Sequence, residues 1–439
     1  MKCLNIFFVI FFTFIIFLSS LPVFFTNSNP DSFDDTSFYL AKYNDGTSYV
    51  IEPLDLNKDG WPDVILSTGI SSHVFWGSSS GYSNNSKLDL VSPDAGGICV
   101  ADFNKDGHPD IVFSQFSSIS YVYWGSNSGF SNSSRTELET LSAWGVSVSD
   151  LNKDGWLDIV FANYGGPESY LYWGSPNGFS NNYRTILPTS KAFAVTISDL
   201  NKDDYPEIIF GNYGIPSSYI YWGSSNGYST SSRTNLETSG AGGLTVNDLN
   251  KDGYKDIVFG NMAPNSYIYW GSGSGYSNSN RTNIPSSWVY GASNSDMNKD
   301  GYQDIVLTSY AGSALVNSYI YWGSSIGYTS SNRSSLETRG TAAVGICDLN
   351  KDGWNDLVFA NSQSTSSTIY WGGSQGYSSL NKTELLVDGA TGVSVVMQVY
   401  KSHNHKELPM DQISRILGIG TTRTTGEFIN ESNTSNKSQ

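Results

Sequence analysis

Oxygen-bearing side chains recur at alternate positions of a nine-residue segment, and the segment occurs seven times. Its pattern is Asp-x-Asn-Lys-Asp-Gly-x-x-Asp. Only the fourth copy departs from it, with Asp204 replacing the glycine and Glu207 replacing the last aspartate. The chemistry this suits is capture of a hard divalent cation. Calcium takes about six to eight oxygens in flexible geometry, which disfavours magnesium here. Oxygens at positions 1, 3, 5, 7 and 9 would wrap one ion, with position 7 contributing its backbone carbonyl. The expected ligand sets are Asp55, Asn57, Asp59, Trp61 and Asp63; Asp102, Asn104, Asp106, His108 and Asp110; Asp150, Asn152, Asp154, Trp156 and Asp158; Asp199, Asn201, Asp203, Tyr205 and Glu207; Asp248, Asn250, Asp252, Tyr254 and Asp256; Asp296, Asn298, Asp300, Tyr302 and Asp304; and Asp348, Asn350, Asp352, Trp354 and Asp356. Up to seven structural calcium ions are therefore expected.

Charge supports a cation over plain polar turns. The seven loops hold 22 carboxylates and eight lysines, so they carry −14 of the chain's net −16. About three carboxylates crowd each loop and repel one another unless a cation intervenes. The loops are not helix-flanked calcium sites, which need a bidentate Glu at position 12. That position is Leu66, Phe113, Phe161, Phe210, Phe259, Leu307 or Phe359. The fourth loop is expected to bind most weakly, because a longer Glu207 requires a shifted backbone. A chain this acidic also repels phosphate backbones, which argues against a nucleic-acid partner.

Strands must position these loops. The first aspartates are spaced by 47, 48, 49, 49, 48 and 52 residues, the length of a four-stranded propeller blade. In the third repeat, residues 145–149 read as strand one, 159–161 as a buried strand two, 169–174 as an aromatic strand three and 184–187 as strand four. The fold class is all-β: a seven-bladed β-propeller of four-stranded antiparallel blades. A tryptophan closes strand three in each repeat: Trp76, Trp124, Trp173, Trp222, Trp270, Trp322 and Trp371. These are expected to pack between blades. An eighth unit starts at 392–395, but Met397 stands where its loop aspartate should be. Residues 37–40 resemble a fourth strand, and an N-terminal strand pairing with the last blade is one way to close the ring.

Residues 1–25 read as a signal peptide or signal anchor, from a lysine followed by a mostly apolar run. Residues 34–396 form the propeller, and 397–439 a repeat remnant with a Ser/Thr/Asn-rich tail. Either reading of the N-terminus exports the rest, which is expected to be secreted or at the cell surface. Membrane contact is expected only through that possible anchor. Cys99 and Cys347 are expected as buried free thiols. No Ser-His-Asp set stands out, so no enzyme and no catalytic residues are expected.

The loop, followed by Asp-Ile-Val-Phe and Tyr-Trp-Gly-Ser-x-x-Gly-Tyr, resembles FG-GAP/VCBS repeats, as in the N-terminal propeller of integrin α-subunits. The resemblance covers about 37–396. It implies calcium between strands one and two, and ligand binding on the opposite face. Loops 2–3 and 4–1 gather on that face and would present Trp144, Tyr164, Phe193, Tyr213, Trp288, Tyr290 and Tyr310. The expected function is a monomeric, calcium-stabilised module that binds an extracellular protein or glycan, as in adhesion. The alternatives are a lyase-like carbohydrate-active enzyme on the same propeller, or a calcium-stabilised lectin.

Overall fold

The computed structural model describes residues 41–42, 47–310 and 315–402, which form strands and turns only. Seven four-stranded antiparallel blades make a closed propeller. The third repeat is representative. Its strands run Ala143–Ser149, Asp158–Asn163, Glu168–Tyr172 and Arg184–Pro188. The second strand is buried along its whole length, because both of its faces meet neighbouring blades. Burying each Val or Phe of such a strand contributes about 1.5–3 kcal/mol. The fourth strand is solvated except at Leu187, which keeps it short and polar.

The eighth unit does not begin a further blade. Gly392–Ser394 pairs with Val64–Ser67 and supplies the inner strand of blade 1. The ring is therefore closed by the C-terminal segment, and the N-terminal closure considered above is corrected. No loop follows Met397, because the chain leaves the blade there. Val396–Ser402 pairs with Thr47–Pro53 as a ribbon, and the Leu54 N–H donates to the Val395 carbonyl at 2.9 Å. The segments that lead into and out of the propeller thus meet at the start of the first loop. The ribbon crosses the domain boundary expected at 396/397. The expected strand over 37–40, the leader 1–25 and the tail beyond 402 lie outside the described residues.

Each blade is tied to its predecessor at the rim. Tyr172 donates its hydroxyl to the Glu139 carbonyl at 2.7 Å, and Asn181 Oδ1 accepts the Glu139 N–H at 2.8 Å. Asn132, Asn278 and Asn84 accept the Val91, Glu237 and Leu386 N–H groups in the same way. The Asn84 staple joins blades 7 and 1, which are 302 residues apart in sequence. In two blades the preceding strand ends in Pro188 or Pro285, and proline has no N–H to offer. There the matching residues are Thr230 and Ser330, not Asn. Donor and acceptor match at six of the seven interfaces; at the seventh, Ser379 stands where Asn would face the Glu337 N–H.

This pairing makes a prediction. Asn181→Ala removes an acceptor serving Glu139 N–H and the Tyr172 hydroxyl. It should lower unfolding free energy by about 0.5–1.5 kcal/mol in urea melts. Thr230→Asn, facing Pro188, should gain no comparable stability.

Candidate metal loops and channel mouth

Within each loop, side chains and backbone interlock. In the first, Asp55 accepts N–H bonds from Asp59 at 3.1 Å and Gly60 at 2.9 Å. Asn57 Oδ1 accepts the Asp59 N–H at 3.1 Å, and Asp59 Oδ1 accepts the Trp61 N–H at 2.8 Å. Asn57 and Asp59 border an open cleft shared with Trp76 and Tyr82, so the loop can be reached from solvent. The same bonds recur around the ring, as in the loops that begin at Asp102 and Asp348.

Position 9 behaves differently. Asp63 is fully buried, and both its oxygens are engaged: Oδ2 by Leu56 N–H at 2.8 Å, Oδ1 by Gly77 N–H at 2.9 Å. It therefore pins the loop to the end of strand three. Gly77 must be glycine, since a Cβ there would sit 2.1 Å from the Pro62 carbonyl oxygen. Tyr82 completes the brace by donating its hydroxyl to that carbonyl at 2.7 Å. The Trp-Gly-Ser-x-x-Gly-Tyr motif is thus the scaffold of the loop, a role not read from the sequence. Its fixed spacing from the loop was the available signal.

Burial raises these carboxyl groups, and the like charges of positions 1 and 5 add to it. Asp63, Asp110, Asp256, Asp304 and Asp356 are pushed up to about 7, and Glu207 to about 8. Asp158 is raised well above its ordinary range for the same reasons. Among the described residues, no three His, Cys, Asp or Glu side chains close into a ready-made metal cluster. The position-9 oxygens are held by backbone N–H groups, and the remaining oxygens come from Asp, Asn and carbonyls. One oxygen is left over: Asp150 Oδ1 is buried and has no hydrogen-bond partner, and burial lifts that carboxyl to about 6. An unpaired, buried carboxylate oxygen inside a set of hard oxygens fits a calcium ligand.

The fourth loop is distorted as its sequence implies. Asp204 takes a left-handed backbone, φ 66°, where other loops carry glycine. Glu207 Oε1 accepts the Gly223 N–H at 3.3 Å, against 2.7–2.9 Å for the equivalent aspartates. The extra methylene loosens the brace.

The opposite end of the channel is aromatic. Inner strands bulge there, at Trp144, Phe193, Gly242 and Ala342 among others, so the extra residue turns to the axis. Trp144 lies 4.8 Å from Phe193, and Tyr290 lies 4.6 Å from Tyr310, between ring centroids. Gly242 makes room, since a Cβ there would meet Val289 O at 2.7 Å. Around this plug stand Phe116, Tyr164, Tyr213, Met262 and Tyr310, each the first residue after strand two. The seven expected ligand-face residues do gather at the mouth. Three are not presented to solvent, however: Trp144, Phe193 and Tyr290 are buried and fill the channel. Tyr164 and Tyr310 are half-buried, while Tyr213 and Trp288 are exposed. Phe116 was missed, and its place after strand two was the signal. The seven strand-three tryptophans pack against core clusters, as expected. Cys347 is buried, and Cys99 is partly buried with its thiol pushed up to about 12, so neither is a reactive thiol.

The FG-GAP-like repeat matches residues 55–113, 102–161, 150–210, 199–259, 248–307 and 296–359. The chain belongs to this family. No curated protein matches this FG-GAP propeller by sequence. Solved propellers share its shape at low identity. A putative 6-phosphogluconolactonase from Bacteroides fragilis is 9% identical, with 78% of this chain and 99% of that chain covered and a TM-score of 0.51. One from Bacteroides uniformis is 10% identical, covering 76% and 99%, with a TM-score of 0.50. BBS1N, solved in complex with ARL6DN, is 11% identical, covering 76% and 94%, with a TM-score of 0.50. These likenesses show the fold alone. They also correct the expectation that the protein is no enzyme. The same architecture carries putative lactonases, so the lack of a Ser-His-Asp set does not exclude catalysis.

The raised carboxyls predict an unusual pH dependence for the metal-free FG-GAP propeller. A carboxyl whose folded pKa lies above its unfolded value binds more protons when folded, so stability falls as pH rises between the two. In chelator, the melting temperature should fall steadily from about pH 4 to about pH 8. A melting temperature that rises over that range contradicts the burial of these groups.

Proposed function

We propose that this propeller is an extracytoplasmic recognition module, stabilised by calcium in its seven loops, that takes a protein or glycan partner at the aromatic mouth. The observation that carries the recognition reading is Trp288. Its backbone is left-handed, φ 46°, as at the equivalent turn of every blade, where three residues are Gly240, Gly340 and Gly389 and three are Asp94, Ser142 and Lys191, so Trp288 is the one large aromatic placed there. A bulky side chain in that region costs on the order of 1–3 kcal/mol, and such strain clusters at ligand clamps. Its indole is nonetheless 51% exposed. The Trp288 carbonyl accepts the Tyr310 N–H at 3.0 Å, so its turn is joined to the backbone of the aromatic arc. An exposed ring held by a strained turn suits stacking on the apolar face of a sugar or a partner's side chain.

The calcium reading is supported by the unpaired Asp150 oxygen and by the charge of the loops. Oxygens at positions 1, 3, 5, 7 and 9 would hold the ion, and position 9 also braces the loop through its N–H bonds. The ion supplies positive charge that offsets carboxylate repulsion, and it stabilises by binding the folded state alone. The loop at Asp199 is the weakest of the seven, for the geometric reasons above. The apolar leader at 1–25 supports export.

The test is an array of glycans and extracellular proteins, probed in calcium and in chelator with wild type and Trp288→Ala. The expected result is a ligand retained in calcium and lost both in chelator and in the variant. The variant should remain folded, since about half of Trp288 is exposed and the rest of its turn is unchanged. A ligand that binds the variant as well as wild type rejects the mouth as its site.

A further inference from the structure

Position 4 of every loop is a lysine, and all seven lysines adopt a left-handed backbone, with φ between 58° and 63°. Glycine or asparagine would take that conformation at less cost. The side chain must therefore matter, and each one points to the same place. Lys105, Lys153, Lys202, Lys251, Lys299 and Lys351 each extend to the next blade and set Nζ over the ring at position 7 of its loop. The distances to the centroids of Trp156, Tyr205, Tyr254, Tyr302, Trp354 and Trp61 are 4.4, 3.9, 5.4, 4.4, 4.5 and 5.1 Å. Lys351 also donates to the Gly60 carbonyl, closing the circle from blade 7 to blade 1. The seventh, Lys58, donates to the Gly107 carbonyl at 2.5 Å, beside His108. No link is missing.

We propose that this lysine ring couples the seven loops, so that an ion in one loop favours an ion in the next. The inference rests on the calcium reading above. Position 4 lies between two expected ligands of its own loop, at positions 3 and 5. An ion there fixes the lysine backbone. The strap it carries then holds positions 6 and 7 of the following loop, where position 7 is expected to offer its carbonyl. The second ion meets a loop already ordered, and the ordering entropy it must overcome is smaller. Because the straps form a circle, every loop both gives and receives one.

The straps are tested by calorimetric calcium titration of the full chain, wild type against Lys299→Met and the double variant Lys153→Met/Lys299→Met. Methionine keeps the unbranched stem and removes the ammonium. Wild type should show a Hill coefficient above unity. The single variant should lower it, and the double variant should bring it closer to unity and weaken binding. Lys299→Arg should restore the wild-type slope, since guanidinium also sits over an indole face. Simple electrostatics predicts the opposite sign, because removing a cation beside an acidic loop tightens calcium. Variants that bind more tightly with an unchanged slope overturn the coupling. Wild-type binding with a coefficient of unity overturns the coupling alone. No calcium uptake by wild type overturns the calcium reading beneath it.

Discussion

A carboxylate buried where strand one turns into strand two sets the terms for the rest of this molecule. At position 9 it takes N–H bonds from the start of its own loop and from the glycine that ends strand three. That single group joins three parts of a blade. It also brings negative charge into a site with little water, beside two more carboxylates. Burial alone would protonate it near neutrality, as the upward shifts to about 7 indicate. The glycine beside it and the tyrosine that braces the carbonyl before it both follow from that placement.

The second constraint is closure. A ring of blades tolerates no weak seam, and the seam here lies between blade 7 and blade 1. Four kinds of contact cross it: the C-terminal inner strand, the Leu54 to Val395 bond, the Asn84 staple and the Lys351 strap. They lie at the axis, the loop face and the rim, so the joint is held over its whole depth. The aromatic end is built by another device. Bulges turn large residues inward in some blades, and Gly242 and Ala342 leave space for them in others.

Much of this was legible in residue order. The period, the four strands of the third repeat and the position of each loop lie within a residue or two of expectation, because strand periodicity and turn chemistry agree locally there. What was not legible depends on contacts between blades. Nothing local in 392–395 says that it completes blade 1. Trp144, Phe193 and Tyr290 look like exposed loop aromatics until the bulge turns them to the axis. That the position-9 aspartate also ties its loop to the end of strand three depends on the Gly77 N–H, which lies far from it in residue order. The exclusion of enzymatic activity failed for a different reason: a propeller's chemistry resides in its loops, and the fold does not settle it.

The central claim is that the loops are cation sites on which the folded ring depends. Native mass spectrometry of the full chain, purified in calcium and exchanged into volatile buffer, tests it most directly. The account predicts a folded species carrying about one calcium per loop, with the ion at the distorted Asp199 loop lost first, and a lower melting temperature once chelator has stripped them all. A folded chain that carries no calcium and melts unchanged in chelator would contradict it.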